Sequence, residues 1–351
     1  MDKESPDFSA MSKAKRKEMV ERIYVTSPRT KQIEELIKHC QEYSKIAANP
    51  ECMLLLGEPG NGKTTACRKY ALKYPRRVEG GRTILPVLYV SIPSPTTPKS
   101  LPQKILQQLG DTFWKDGNTT VQTLRLCGLL GDLQTELIIL DEFQGLIDGK
   151  TDRGVLEGSN WVKGFINEAK KPVVLAGLPY CDIVLKANDQ LERRFPIRET
   201  LRPLCRPEVN EIRDFDQFLK HVDVKNFKRF LEEVDKGLPF RVRSNLADDH
   251  VAYRFYVATN GVIDFTMKIV RRAAELAIDK DLTNVDLSLL ARAYKERVSA
   301  IVPNRPNPFS TPEEELKPEP FPKSILGMMA TNRRSTRKIM QMSVSDTFSR
   351  R

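Results

Sequence analysis

Residues 57–64 read Gly57-Glu58-Pro59-Gly60-Asn61-Gly62-Lys63-Thr64, a complete Gly-x4-Gly-Lys-Thr loop. It sits between an apolar run (Cys52, Met53, Leu54, Leu55, Leu56) and a stretch of helical character reaching residue 74. A strand that turns on glycines into a helix constrains the fold more than any other feature of the chain. In that arrangement backbone N–H groups curl around phosphate oxygens, where Cβ atoms would obstruct them. Gly57, Glu58, Pro59, Gly60, Asn61, Gly62 and Thr65 then form the cradle, Lys63 reaches the β- and γ-phosphates, and Thr64 holds Mg2+ through its hydroxyl. The expected ligand is a nucleoside triphosphate, ATP, with Mg2+.

Four more candidate strands follow, at residues 87–91, 137–140, 173–176 and 197–201, with helical stretches between them. Another helical stretch, residues 30–46, precedes the loop and carries Ile33, Leu36, Ile37, Cys40 and Tyr43 at helical spacing. Short apolar runs alternating with amphipathic helices predict a parallel α/β sheet covered on both faces. After Pro207 the pattern becomes helical, over 215–234, 248–259, 265–280 and 284–298. From Pro303 prolines recur through Pro322 around Glu313, Glu314 and Glu315, which predicts a linker that extends rather than packs. Residues 331–351 hold six basic residues against one acid, Asp346. The expected organisation is a charge-mixed arm over 1–22, mobile or ordered by a partner, a nucleotide-binding domain over 23–206, a helical lid over 207–300, and a linker with a basic tail over 301–351.

A net charge of +11 suits a partner made of phosphates. No apolar run is long enough to span a bilayer, so no membrane partner is expected. The charged first residues do not read as a signal peptide, which places the chain in the cytoplasm. Six cysteines without a Cys-x-x-Cys pair, and three histidines (His39, His221, His250), offer no zinc-ligand spacing. Reduced thiols in or near a core are the expectation.

Leu137-Ile138-Ile139-Leu140-Asp141-Glu142 is an apolar strand ending in two carboxylates. At a strand's C-terminal edge Asp141 can meet the hydration shell of Mg2+, and Glu142 can polarise a water in line with the γ-phosphate. The pair favours hydrolysis over phosphoryl transfer to a small molecule. Val173-Val174-Leu175-Ala176 then enters Gly177-Leu178, where AAA+ ATPases commonly place a polar residue that orients the water. Here that role is unfilled or moved. Arg193 and Arg194 lie ahead of the fifth strand, where AAA+ proteins keep a finger for the neighbouring subunit's γ-phosphate. Arg194, directly before Phe195, is favoured over Arg193. The turn Thr259-Asn260-Gly261 leads into Asp264 and Phe265 where a second phosphate-sensing arginine is common, so slow hydrolysis is expected.

Together these residues resemble the TniB/TnsC family of AAA+ transposition regulators. The likeness extends through Arg22-Ile23-Tyr24-Val25, Pro86 to Val90 with Pro98-Lys99-Ser100-Leu101, Ile105 to Gly110, Ile138 to Gln144 and Asp189 to Phe195. It covers residues 22–298, outside the arm and tail. The resemblance implies an AAA+ P-loop NTPase with a five-stranded parallel sheet flanked by helices, a small α-helical lid and a flexible tail. It implies a hexameric ring or helical filament on double-stranded DNA. Such an assembly receives a target-site signal, from a target-selection protein or a guide RNA complex, and recruits a transposase. Hydrolysis then favours release. Family members contact the DNA backbone at positions matched here by Lys99 and Thr120, although Thr119 could serve equally. Such contacts hold phosphate without reading bases. A helicase or helicase loader, and a scaffold that binds ATP without hydrolysing it, are the alternative readings.

Overall fold

The computed structural model describes residues 8, 11–47, 49–205, 212–302 and 304–321. The described residues form two compact units, residues 29–201, and residues up to 28 together with those between 202 and 321.

The first unit is built on a five-stranded parallel sheet. Its strands are β1 (Met53–Gly57), β2 (Val87–Ser91), β3 (Leu137–Asp141), β4 (Val173–Gly177) and β5 (Ile197–Leu201), in the order β2-β3-β4-β1-β5. All five runs expected from the sequence are strands, and the sheet is covered on both faces. Met53, Leu55, Val87, Leu137, Ile139, Val174 and Ala176 face one layer, with Ile33, Ile37, Ala66 and Tyr70 of the helices Pro28–Tyr43 and Lys63–Leu72. Leu54, Leu88, Val90, Ile138, Leu140, Val173 and Leu175 face the other, with helices Ser100–Leu109, Thr119–Asp132 and Asp152–Ala169. Side chains alternate across a strand, so a strand buried on both faces reads as an unbroken apolar run. The parallel register places Gly57, Ser91, Asp141, Gly177 and Leu201 along one edge. Open α/β sheets hold ligands at that edge. A hairpin of Arg77–Glu79 and Arg82–Ile84 stands apart from the sheet and was not foreseen.

The second unit is helical. Phe215–Lys220, Val224–Gly237, Asp249–Thr259, Ile263–Asp279 and Leu287–Arg297 surround a separate apolar core. The expected continuous helix over 215–234 is broken at His221, which adopts an extended conformation, before Val224 starts the next helix.

Two expectations about the chain's ends are corrected. Residues 13–21 are not a mobile arm but a helix of this unit. Val20 is buried, Lys13 and Lys17 pair with Asp281 and Asp279 at 2.6 Å, and Arg16 donates to Pro239 O at 3.1 Å. Lys13 Nζ also donates to Asp279 O at 2.9 Å, at the negative end of the helix Ile263–Asp279. Charge complementarity holds a helix whose own sequence is mostly polar.

Residues 304–321 are likewise not an extended linker. Phe309, Leu316 and Phe321 are buried in the helical core. Arg254 donates to Thr311 O at 2.7 Å, and Arg305 to Val257 O at 3.1 Å and Glu319 O at 2.6 Å. Prolines remove backbone donors, so guanidinium groups satisfy carbonyls of this segment, Arg254 at Thr311 and the segment's own Arg305 at Glu319. Phe309 stands edge-on to Phe255, with ring centroids 5.0 Å apart. Phe309→Ala is therefore expected to destabilise the protein by about 3–5 kcal/mol. Urea unfolding followed by circular dichroism checks this, and an unchanged midpoint would show that the strap is not part of the folded unit. The basic tail over 331–351 lies outside the described residues.

Candidate functional site

β1 ends at Gly57, opposite Leu201 of β5. A Cβ at Gly57 would lie 2.5 Å from the Leu201 carbonyl oxygen, so only glycine lets the chain leave the strand there. Asn61 is buried, and its Nδ2 reaches the same carbonyl at 3.5 Å. Gly60 and Gly62 take φ values of +79° and +92°, a region glycine enters freely, and they turn the loop into the helix Lys63–Leu72. No side chain caps that helix. Its first N–H groups and the positive end of its dipole are left for an anion.

Lys63 is buried, its Nζ donating to Gly57 O at 2.6 Å and Glu58 O at 3.1 Å. Burial lowers its pKa, against the opposing pull of Glu142 and Asp141. An ammonium held by two neutral carbonyls in a glycine-shaped loop fits a multiply charged phosphate group.

Asp141 closes β3 and is fully buried. Its Oδ1 accepts from Glu142 N at 2.9 Å and its Oδ2 from the Tyr89 hydroxyl at 2.7 Å. Arg68 Nε in turn donates to that hydroxyl at 3.1 Å. Glu142 leaves the strand with φ +55°, and this turn brings its carboxylate toward the loop. Thr64 Oγ1 donates to Glu142 Oε1 at 3.4 Å, and Gln144 Nε2 donates to Oε2. One hydroxyl beside two carboxylates suits Mg2+, which keeps most of its waters and takes few protein ligands. Among the described residues no group of three or more His, Cys, Asp or Glu could hold a metal alone.

The structure therefore brings Lys63, Thr64, Asp141 and Glu142 together; Thr65 is exposed in the helix's first turn. Arg194 is not among them. Its carbonyl accepts from Cys52 N at 2.9 Å, beside the opposite end of β1, and its side chain is half-buried. Arg193 is the more exposed of the two and lines a concavity of about 490 Å3 with Asp189, Glu192 and Arg198. Lys99 and Thr120 are both exposed, at the N-terminal ends of the helices Ser100–Leu109 and Thr119–Asp132. In the helical unit, Asp264 pairs with Lys268 at 2.7 Å and Phe265 packs on Phe321. Tyr89, Arg68 and Gln144 carry contacts that the sequence did not single out.

The sequence model described as bacterial TniB protein matches residues 16–202, more than half of the chain. No curated protein matches significantly in sequence. Among solved structures the chain is similar to the Aeropyrum pernix ORC1 protein in complex with DNA, with TM-score 0.55 and 17% identity over 83% of this chain and 72% of that one. The A. pernix ORC2 protein gives 0.54 and 13% over 80% and 72%. Cdc6p from Pyrobaculum aerophilum gives 0.54 and 15% over 82% and 74%. At these identities the likeness is one of fold, the AAA+ P-loop fold.

Proposed function

The chain belongs to the TniB family, and on that premise we propose that it is an ATP-dependent, DNA-binding AAA+ regulator of transposition. The observation that carries this reading is the meeting of Lys63, Thr64, Asp141 and Glu142 at one edge of the sheet. The loop's N–H groups and Lys63 hold the triphosphate, while Thr64 and Asp141 hold Mg2+. When bound, Mg2+ would supply positive charge to offset that of the phosphates. Glu142 takes a proton from the attacking water as general base. In this reading Arg194, which lies away from its own subunit's loop, or else the more exposed Arg193, is the finger for a neighbour's γ-phosphate. Each subunit thus completes the next, and ATP drives assembly into a ring or filament.

Lys99 and Thr120 hold backbone phosphates of duplex DNA, once per subunit. The +11 charge and the DNA-bound state of the ORC1 neighbour support a nucleic-acid partner. The assembly links a target-selection protein or guide RNA complex to a transposase, in the cytoplasm. Among the described residues no helix is long and apolar enough to cross a membrane.

Electron microscopy with duplex DNA in ATP, a slowly hydrolysed analogue and ADP tests the switch. Rings or filaments are expected only with triphosphate. Lys99→Glu should abolish them and flatten the dependence of binding on salt, since each neutralised phosphate steepens that slope by roughly 0.9 in log–log terms. Assembly in ADP equal to that in ATP would overturn the reading. One observation favours a second reading, a scaffold that binds ATP without turnover: β4 ends in Gly177, which has no side chain to orient water.

A further inference from the structure

Gly177 cannot simply be replaced by a polar residue. A Cβ there would lie 2.8 Å from Cys181 Sγ and 3.3 Å from Gln144 Oε1. Cys181 Sγ blocks a side chain at the end of β4, and the Gln144 amide oxygen stands in tight contact beside that position. That amide is also rigidly presented. Gln144 belongs to the short helical turn Phe143–Leu146, whose Phe143 and Leu146 are fully buried. Gly145 N donates to Glu142 O at 2.9 Å, and Thr96 N donates to Gly145 O at 2.8 Å.

The amide's orientation follows from its neighbour. An ionised carboxylate only accepts hydrogen bonds, so the NH2 of Gln144 must face Glu142. Its Oε1 is then buried with no hydrogen-bond partner. Buried acceptors without a partner are uncommon, and here the orphan is the consequence of turning the NH2 onto Glu142.

We propose that Gln144 is the positioning residue that fills the role left open at Gly177, holding the Glu142 carboxylate where it activates water. This rests on the ATPase reading above. The bond is a donor's contribution, and it acts through Glu142 rather than on the nucleotide.

The test is single-turnover ATP hydrolysis by the full chain with Mg2+ and duplex DNA, alongside titration with a fluorescent ATP analogue. Gln144→Ala should slow the chemical step about 10- to 100-fold, the usual effect of losing a group that orients a catalytic one, with nucleotide affinity changed less than about threefold. Gln144→Glu, nearly isosteric but unable to donate and repelling Glu142, should be slower still than Gln144→Ala. A space-filling role predicts the reverse order for those two variants, and that order would overturn the proposal. An unchanged or faster Gln144→Ala would also overturn it, the faster case marking a clamp that holds Glu142 off the water. Glu142→Gln run in parallel separates the two levels. If Glu142→Gln loses turnover while Gln144→Ala runs at the parent's rate, only this inference fails; if the parent itself shows no turnover, the ATPase reading fails and this inference with it.

Discussion

Glu142→Gln is expected to slow ATP turnover by about 10²- to 10⁴-fold, the range a general base contributes, while leaving ATP affinity near that of the parent. Gln keeps the shape of Glu142 and can still meet Thr64 and Gln144, the two groups within hydrogen-bonding reach of the carboxylate. What it loses is the ability to accept the water's proton. The carboxylate sits on the Thr64 hydroxyl at 3.4 Å and beside the Lys63 ammonium, so binding and chemistry draw on neighbouring but separable groups. The larger consequence concerns DNA. If triphosphate holds the assembly together and hydrolysis releases it, the variant should persist on duplex DNA long after the parent has left in the same ATP. Dissociation into excess competitor DNA measures this. Equal lifetimes with turnover abolished would uncouple hydrolysis from release. Parent-like turnover would assign the water's activation to another group, and parent-like behaviour in a parent with no turnover would favour the scaffold reading that Gly177 suggests.

The sheet was legible because β1 to β4 are buried on both faces and have to be apolar along their length, a local signal. The hairpin at residues 77–84 was not, because Arg77, Val78 and Glu79 are exposed and carry no burial period. The two ends misled for a different reason. Helix 13–21 offers only Val20 to the core, and the strap at 304–321 is dominated by proline and glutamate. What holds them is supplied from elsewhere in the chain: Asp279 and Asp281 for one, Arg254 and Phe255 for the other. Composition read over a short window cannot see a partner 57 or 268 residues away. The site divides along the same line. Residues 57–65, Asp141 and Glu142 are contiguous with strand ends and could be placed by reading along the chain. Tyr89 reaches Asp141 only because β2 runs beside β3, with Ser91 opposite Asp141, so its part depends on register. Gln144 stands two residues beyond Glu142, but its meaning depends on the glycine at the end of β4.

Lys63→Met should abolish ATP binding and, at the same time, raise the melting temperature of the nucleotide-free protein. Lys63 is buried and its pKa lowered chiefly by desolvation, so the folded state disfavours its charged form relative to the unfolded chain. Below the lowered pKa both states carry the proton and the penalty is fully present. It is relieved only as pH rises from the lowered pKa toward the ordinary lysine value near 10.4, where the unfolded chain binds the proton more tightly. The parent should therefore gain on the variant across that alkaline window. Methionine keeps most of the stem's packing and removes the charge. Against this stands the loss of two hydrogen bonds, to Gly57 O and Glu58 O. If desolvation wins by about 1 kcal/mol, the melting temperature rises roughly 2–4 °C. Saturating ATP reverses the ranking: at 100 times Kd the parent gains about 2.7 kcal/mol and the variant nothing. Thermal melts of both proteins with and without Mg2+-ATP should cross. A variant less stable than the parent without nucleotide would show that the carbonyl bonds outweigh desolvation, and that the loop is built for stability as well as for phosphate.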